Sequence, residues 1–78
     1  SYIELDEQHA IIEVAVPEDW QGRSIGELDI RRKYGVNILG VKRENKTDVN
    51  ISPETVLDAD MTLLVLGENQ KLKKHFRL

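Results

Sequence analysis

The sequence predicts an α+β domain, a small mixed β-sheet with two helical segments in the order strand, helix, strand, strand, strand, helix. Three observations lead there. Apolar, largely β-branched runs recur at Ala10 to Val16, Val36 to Lys42 and Met61 to Leu66, each followed by turn or breaker residues. Ser24-Ile25-Gly26-Glu27 has the form of a capping box, in which the serine hydroxyl and the glutamate carboxylate each take one orphan amide, so a helix opens after the first run. Asn69, followed by Leu72 and Phe76 four residues apart, caps and faces a final helix.

Taken in order, Ser1 to His9 reads as a linker remnant or an edge extension, and residues 10–78 as the domain proper. Ala10 to Val16 is almost wholly apolar, the pattern of a strand buried on both faces, and Pro17 ends it. Pro17 to Gly22 is turn chemistry with Trp20 folded over the core edge. One continuous helix from Ile25 would put Arg32 in the middle of the stripe made by Ile25 and Leu28. The helix is therefore expected to break at Asp29, which caps a second short turn from Ile30 to Tyr34 closed by a left-handed Gly35. Val36 to Lys42 is the second strand, the residues Glu44-Asn45-Lys46 make a hairpin, and Thr47 to Ile51 returns as a short polar strand. Ser52-Pro53 stops it, Val56 and Leu57 anchor a turn-rich connection, and Met61 to Leu66 is the last strand, ended by Gly67. The crossover from first to second strand fits a right-handed connection in a mixed sheet.

Composition narrows the function classes. At 78 residues the chain buries only about 60 to 65% of the surface it would expose unfolded. No cysteine staples that thin core and no Cys/His cluster offers a structural metal, so a second copy of the chain is the expected source of extra stability. No apolar run approaches the roughly 20 residues that span a bilayer, and Ser1 to Asp6 lacks the pattern of a signal peptide. A net charge of -3 repels a polyphosphate backbone, and one tryptophan, two tyrosines and one phenylalanine leave few stacking platforms. A nucleic-acid-binding module would have to rest on the basic clusters Arg31-Arg32-Lys33 and Lys71 to Arg77, which also read as solvated helix faces.

No catalytic set emerges. His9 lies in the leading segment and His75 on the basic last helix, while Ser24 and Ser52 stand where caps and turns use serine. Asp58/Asp60 and Glu18/Asp19 lack calcium-loop spacing, and Gly22 and Gly26 lack the strand and lysine of a phosphate loop. The expectation is a binding module rather than an enzyme, with no metal.

One resemblance gives that module a class. Its residues are Val16-Pro17, Trp20 to Ile25 with Leu28, the run Asp29 to Val41, Pro53, Val56-Leu57 with Asp60, and Leu63 to Gly67. In this order and spacing, the stretch from Val14 to Phe76 resembles the TrkA-C domain, the C-terminal lobe of RCK regulators of bacterial Trk and Ktr potassium uptake systems. The resemblance implies a cytoplasmic homodimer, set under an octameric ring of nucleotide-binding lobes that presses on a membrane potassium channel subunit at the inner face of the membrane. The nucleotide lobe is absent from this chain, which reads as one domain of a longer protein.

Asp29-Ile30-Arg31 with Asn37 and Pro53 resembles in particular the Ktr branch, some of whose members bind cyclic di-adenosine monophosphate (cyclic di-AMP) between two such domains and thereby reduce uptake. The resemblance implies a ligand site made of Ile25, Asp29, Ile30, Arg31, Val36, Asn37 and Pro53, with cyclic di-AMP as a ligand and no cofactor. Arg31 would hold a phosphate, helped by backbone amides after Asp29, and Asp29 would meet an adenine amino group or hold Arg31. Ile25, Ile30 and Val36 would make an apolar wall, Pro53 a lid and Asn37 a polar contact. Structural alternatives stand beside these roles: an ion pair of Arg31 with Asp29 or Glu27, capping by Asp29, and core packing of Ile25 and Val36. The rival functions are a dimerisation module that binds no dinucleotide, or another small anion, and, from another class, the nucleic-acid module.

Overall fold

The centre of the fold is β7 (Thr62–Glu68), which lies between β2 (His9–Ala15) and β4 (Asn37–Arg43) in the computed structural model, which describes residues 2–77. Edge strands β1 (Tyr2–Glu4) and β5 (Lys46–Asp48) complete a five-stranded sheet in the order β1-β2-β7-β4-β5. Strands β2 and β4 run in the same direction, but β7 is inserted between them, so each neighbouring pair is antiparallel. Between β2 and β4 come a 3-10 turn at Glu18–Trp20, the two-residue strand β3 (Arg23–Ser24), α1 (Ile25–Leu28) and α2 (Ile30–Tyr34). After β7 comes α3 (Asn69–Phe76).

The helices cover one face of the sheet. Ala10, Ile12, Leu63 and Val65 alternate onto that face with Val41, and they meet Leu28, Ile30 and Leu72 in a single core. Trp20 seals one end, its ring 4.9 Å from Tyr34 and 5.5 Å from Phe76. Phe76 and Leu72 therefore close the domain, one of the two roles open to that helix face. Because only one face is covered, the first strand is not buried on both sides: Ile11 and Glu13 are partly exposed while Ala10 and Ile12 are buried.

Several local expectations change for identifiable reasons. The capping box forms by half: Ser24 Oγ accepts from the Glu27 amide at 3.1 Å, but the Glu27 carboxylate turns to Arg23 at 3.3 Å. Ser24 is also in β3, which pairs with β6 (Val56–Leu57) in a second, two-stranded sheet too short to show in the sequence pattern. Leu57 is fully buried as an anchor, but Val56 faces solvent. The short polar strand stops at Asp48, whose side chain accepts from the Asn50 amide and turns the chain. Gly67 does not end its strand. It pairs with Ala10, and a Cβ there would stand 2.9 Å from Val36 Cγ1, so packing rather than termination requires the glycine. Asn69 is the first residue of α3 rather than its cap, and its side-chain amide donates to the Glu7 carbonyl at 3.1 Å. Of the two readings of the leading segment, an edge extension describes Tyr2–Glu4, and His9 already belongs to β2. Ser1 and Leu78 lie outside the described residues.

Candidate functional site

Asp29 organises the site. Its backbone is left-handed, with φ 51° and ψ 51°, and its amide closes α1 on the Ile25 carbonyl at 3.1 Å while its own carbonyl accepts from Lys33 at 2.9 Å and starts α2. Aspartate tolerates this conformation better than most side chains. The expected break is therefore present, but the carboxylate does not cap α2. It pairs instead with Arg32. Gly35, with φ 69°, closes α2 as expected, its amide 3.0 Å from the Arg31 carbonyl.

The corner encloses one open hollow of about 450 Å³, lined by all seven residues singled out from the sequence: Ile25, Asp29, Ile30, Arg31, Val36, Asn37 and Pro53. Their shares differ. Val36 is fully buried and Ile30 only 3% exposed, so both form the floor from within the core. Pro53 is exposed and Ile25 partly so, which leaves them as accessible apolar wall. Four lining residues escaped the sequence reading: Gly26, Ile38, Leu39 and Leu66. Leu39 sits at a β-bulge in β4 between Ile38 and Gly40, which leaves it 38% exposed beside the hollow. Nothing in the residue pattern announces that bulge.

Arg31 is held by a neighbour other than those expected. Its Nε donates to Asn37 Oδ1 at 2.9 Å, across the turn from α2 to β4. The carboxylates weighed as its partners are engaged elsewhere, Asp29 with Arg32 and Glu27 with Arg23. Among the described residues no carboxylate lies within ion-pair distance of Arg31, so its charge is available to a ligand.

The Pro53 wall is fixed from below. Gly26 donates to the Pro53 carbonyl at 2.8 Å and Ile25 to the Thr55 carbonyl at 2.9 Å, so the first amides of α1 are already used. A Cβ at Gly26 would stand 3.0 Å from Pro53 Cβ and from its carbonyl oxygen, which explains the glycine. The arrangement offers one guanidinium beside an apolar wall, suited to a ligand that joins an anionic group to a flat hydrophobic one.

Other titratable clusters lie outside the hollow. Arg43 bridges Asp58 and Asp60, and hydrogen bonding to Asp60 chiefly raises its pKa. His75 packs edge-on to Tyr34 at 5.0 Å, and burial together with Lys74 and Lys71 holds its pKa below the usual histidine range. Among the described residues no group of three or more His, Cys, Asp or Glu side chains is placed to hold a metal, and no helix is long and apolar enough to cross a membrane.

Comparison with known proteins adds four likenesses to this geometry. The model of the TrkA-C domain family matches residues 10–78. Ktr system potassium uptake protein C of Bacillus subtilis (strain 168) is 35% identical over 66 residues, which are 85% of this chain and 30% of that protein. This chain thus spans under a third of that relative's length. Among solved structures, the RCK C domain of the potassium transport protein KtrA in complex with cyclic di-AMP superposes with a TM-score of 0.76 at 33% identity, covering 85% of this chain and 78% of the other. The RCK_C domain dimer of Streptococcus agalactiae BusR, also in complex with cyclic di-AMP, gives 0.68 at 25% identity over 90% and 96% of the two chains.

Proposed function

Because the chain belongs to the TrkA-C domain family, we propose that it is a regulatory lobe of a bacterial potassium uptake system, which binds cyclic di-AMP between two copies of itself and thereby lowers transport. The observation that carries this reading is Arg31. It is a guanidinium with no carboxylate partner among the described residues, oriented by Asn37 at the edge of an apolar hollow. With Nε engaged by Asn37, its terminal nitrogens remain for a phosphate, and such charge-assisted contacts are the strong ones. Ile25, Leu39 and Pro53 supply the surface against which an adenine lies. One chain offers one such half-site, and a ligand with two phosphates, two adenines and two-fold symmetry is matched by two chains related by a two-fold axis.

Asp29 acts in this reading through the backbone, by aiming α2, while its carboxylate restrains Arg32. Ile30 and Val36 support the floor. Bound ligand alters transport only if it favours one arrangement of the paired domains over another. In a longer protein this lobe works at the inner face of the membrane, within an octameric ring and against a potassium channel subunit. The curated relative and the two cyclic di-AMP complexes support the reading.

Titration calorimetry tests it. The expected result is one cyclic di-AMP per two chains, lost in Arg31→Ala, and no heat at high protein concentration would overturn it. The alternative, a module that takes only a small anion, predicts equal stabilisation by inorganic phosphate, whereas a specific dinucleotide at 100 times its Kd adds about 2.7 kcal/mol.

A further inference from the structure

The charges of the chain are sorted by layer. Of its eleven Lys and Arg residues, three stand on α2 and four on or just after α3, while all fourteen Asp and Glu residues lie outside these two segments. The segments adjoin: the Lys71 stem lies 3.4 Å from where a Cβ at Gly35 would stand, and His75 packs on Tyr34 at 5.0 Å. Lys33, Lys71, Lys73 and Lys74 are exposed, and among the described residues none of them has a carboxylate within ion-pair distance. Outside this layer Arg23, Lys42 and Arg43 are all paired. Glu18 and Asp19 line a hollow with His75 and Arg77, so the uncompensated charge is centred on the four lysines rather than on the end of α3. Their field is felt at His75, where Lys74 and Lys71 add to burial in lowering the pKa.

We propose that this helix layer is a docking surface for an anionic phospholipid bilayer, with α2 and α3 laid toward the headgroups. The surface is separate from the Arg31 hollow and does not depend on what that hollow binds. Three features select lipid. Specific protein interfaces are depleted of lysine and centred on apolar or aromatic anchors, whereas here Leu72 is buried and Phe76 packs on Trp20. Single-stranded nucleic acid uses free rings to stack on, whereas Trp20, Tyr34 and Phe76 are packed against one another. A bilayer needs neither, because each lysine near its surface adds attraction without a fixed partner. The net charge of -3 is no bar. Even along its shortest axis the domain measures 21 Å, about two Debye lengths at 0.1 M salt, so carboxylates on the far side are screened from a surface that the lysines touch.

Co-sedimentation with vesicles tests it. At low ionic strength the chain should pellet with vesicles of about 30% phosphatidylglycerol in phosphatidylcholine but not with phosphatidylcholine alone, and about 0.5 M NaCl should release it. Combining Lys33→Gln, Lys73→Gln and Lys74→Gln should weaken partitioning roughly a hundredfold, about fivefold for each lysine. Lys46→Gln, on β5 away from the helix layer, should leave it unchanged. If the combined variant fails to fold, Lys74→Gln alone should still show its fivefold loss. The proposal is overturned if the wild-type chain stays in the supernatant at low salt, if it pellets equally with phosphatidylcholine alone, or if Lys46→Gln weakens partitioning as much as Lys74→Gln. Displacement from the vesicles by duplex DNA at equal phosphate concentration would identify a nucleic-acid surface and would overturn it as well.

Discussion

Arg31 and Asn37 are joined by a 2.9 Å hydrogen bond from Nε to Oδ1, which ties the first turn of α2 to the start of β4. The bond fixes one edge of the guanidinium and leaves the other free. In the proposed complex Asn37 therefore acts on the ligand through Arg31. Removing it in Asn37→Ala should cost about 0.5 to 1.5 kcal/mol of binding per half-site while Arg31 still carries its charge. Calorimetry at several salt concentrations separates the roles: Asn37→Ala should weaken binding with an unchanged salt slope, and Arg31→Ala should flatten the slope.

Arg31→Lys should not restore binding. Lysine keeps the charge but loses the planar fork, and it cannot satisfy Asn37 and a phosphate in the same geometry. Charge-assisted contacts are worth about 1.5 to 3 kcal/mol each, and a two-fold site loses two, so affinity should fall at least about a hundredfold. Near wild-type affinity in Arg31→Lys would mean that charge alone is recognised.

A smaller change tests the Pro53 wall. Gly26→Ala gains some helix propensity but places a methyl 3.0 Å from the Pro53 carbonyl and its Cβ. The neighbour is backbone held by the same glycine at 2.8 Å, so it cannot yield without breaking that bond. Overpacking of this kind typically costs about 1 to 3 kcal/mol, and in a chain of this size each kcal/mol lowers Tm by about 4 to 8 °C. Differential scanning calorimetry should show the drop, together with weaker ligand binding. An unchanged Tm would show that the Pro53 loop adapts freely.

Some of this was legible in the residues and some was not. The break at Asp29 followed from Arg32 falling in an apolar stripe, and the residues flanking the break do share one hollow. The partners of the charged groups were not legible. The left-handed backbone at Asp29 carries its carboxylate to Arg32 rather than to Arg31 or the α2 amides, and a sequence does not display that angle. Leu39 was missed because a bulge shifts one residue out of an alternating pattern that otherwise reads as regular. The β3–β6 pair was missed because two residues carry no periodicity. In the residue pattern Val36 and Gly67 stand apart, as wall and terminator, whereas in the fold a Cβ at Gly67 would crowd Val36 and Leu72.

Stability should fall on mild acidification, and His75 should account for the first part of the loss. Burial against Tyr34, with Lys74 and Lys71 nearby, lowers its folded pKa below the ordinary 6.5. The unfolded chain then binds the proton more readily than the folded one, so no penalty exists well above 6.5 and it grows as pH falls through that value toward the folded pKa. His75→Gln removes the titration and should flatten the dependence of Tm on pH across this window. Asp6 acts lower on the scale. Amide donation from Gln8, followed by the hydrogen bond from His9, depresses its carboxyl below 3.8, so its contribution is present above that value and lost only as pH falls through the folded pKa. The two residues thus separate on the pH axis: His75→Gln should leave the loss below pH 4 intact. A pH profile unchanged in both windows by His75→Gln would show that the imidazole is solvated in solution rather than packed on Tyr34.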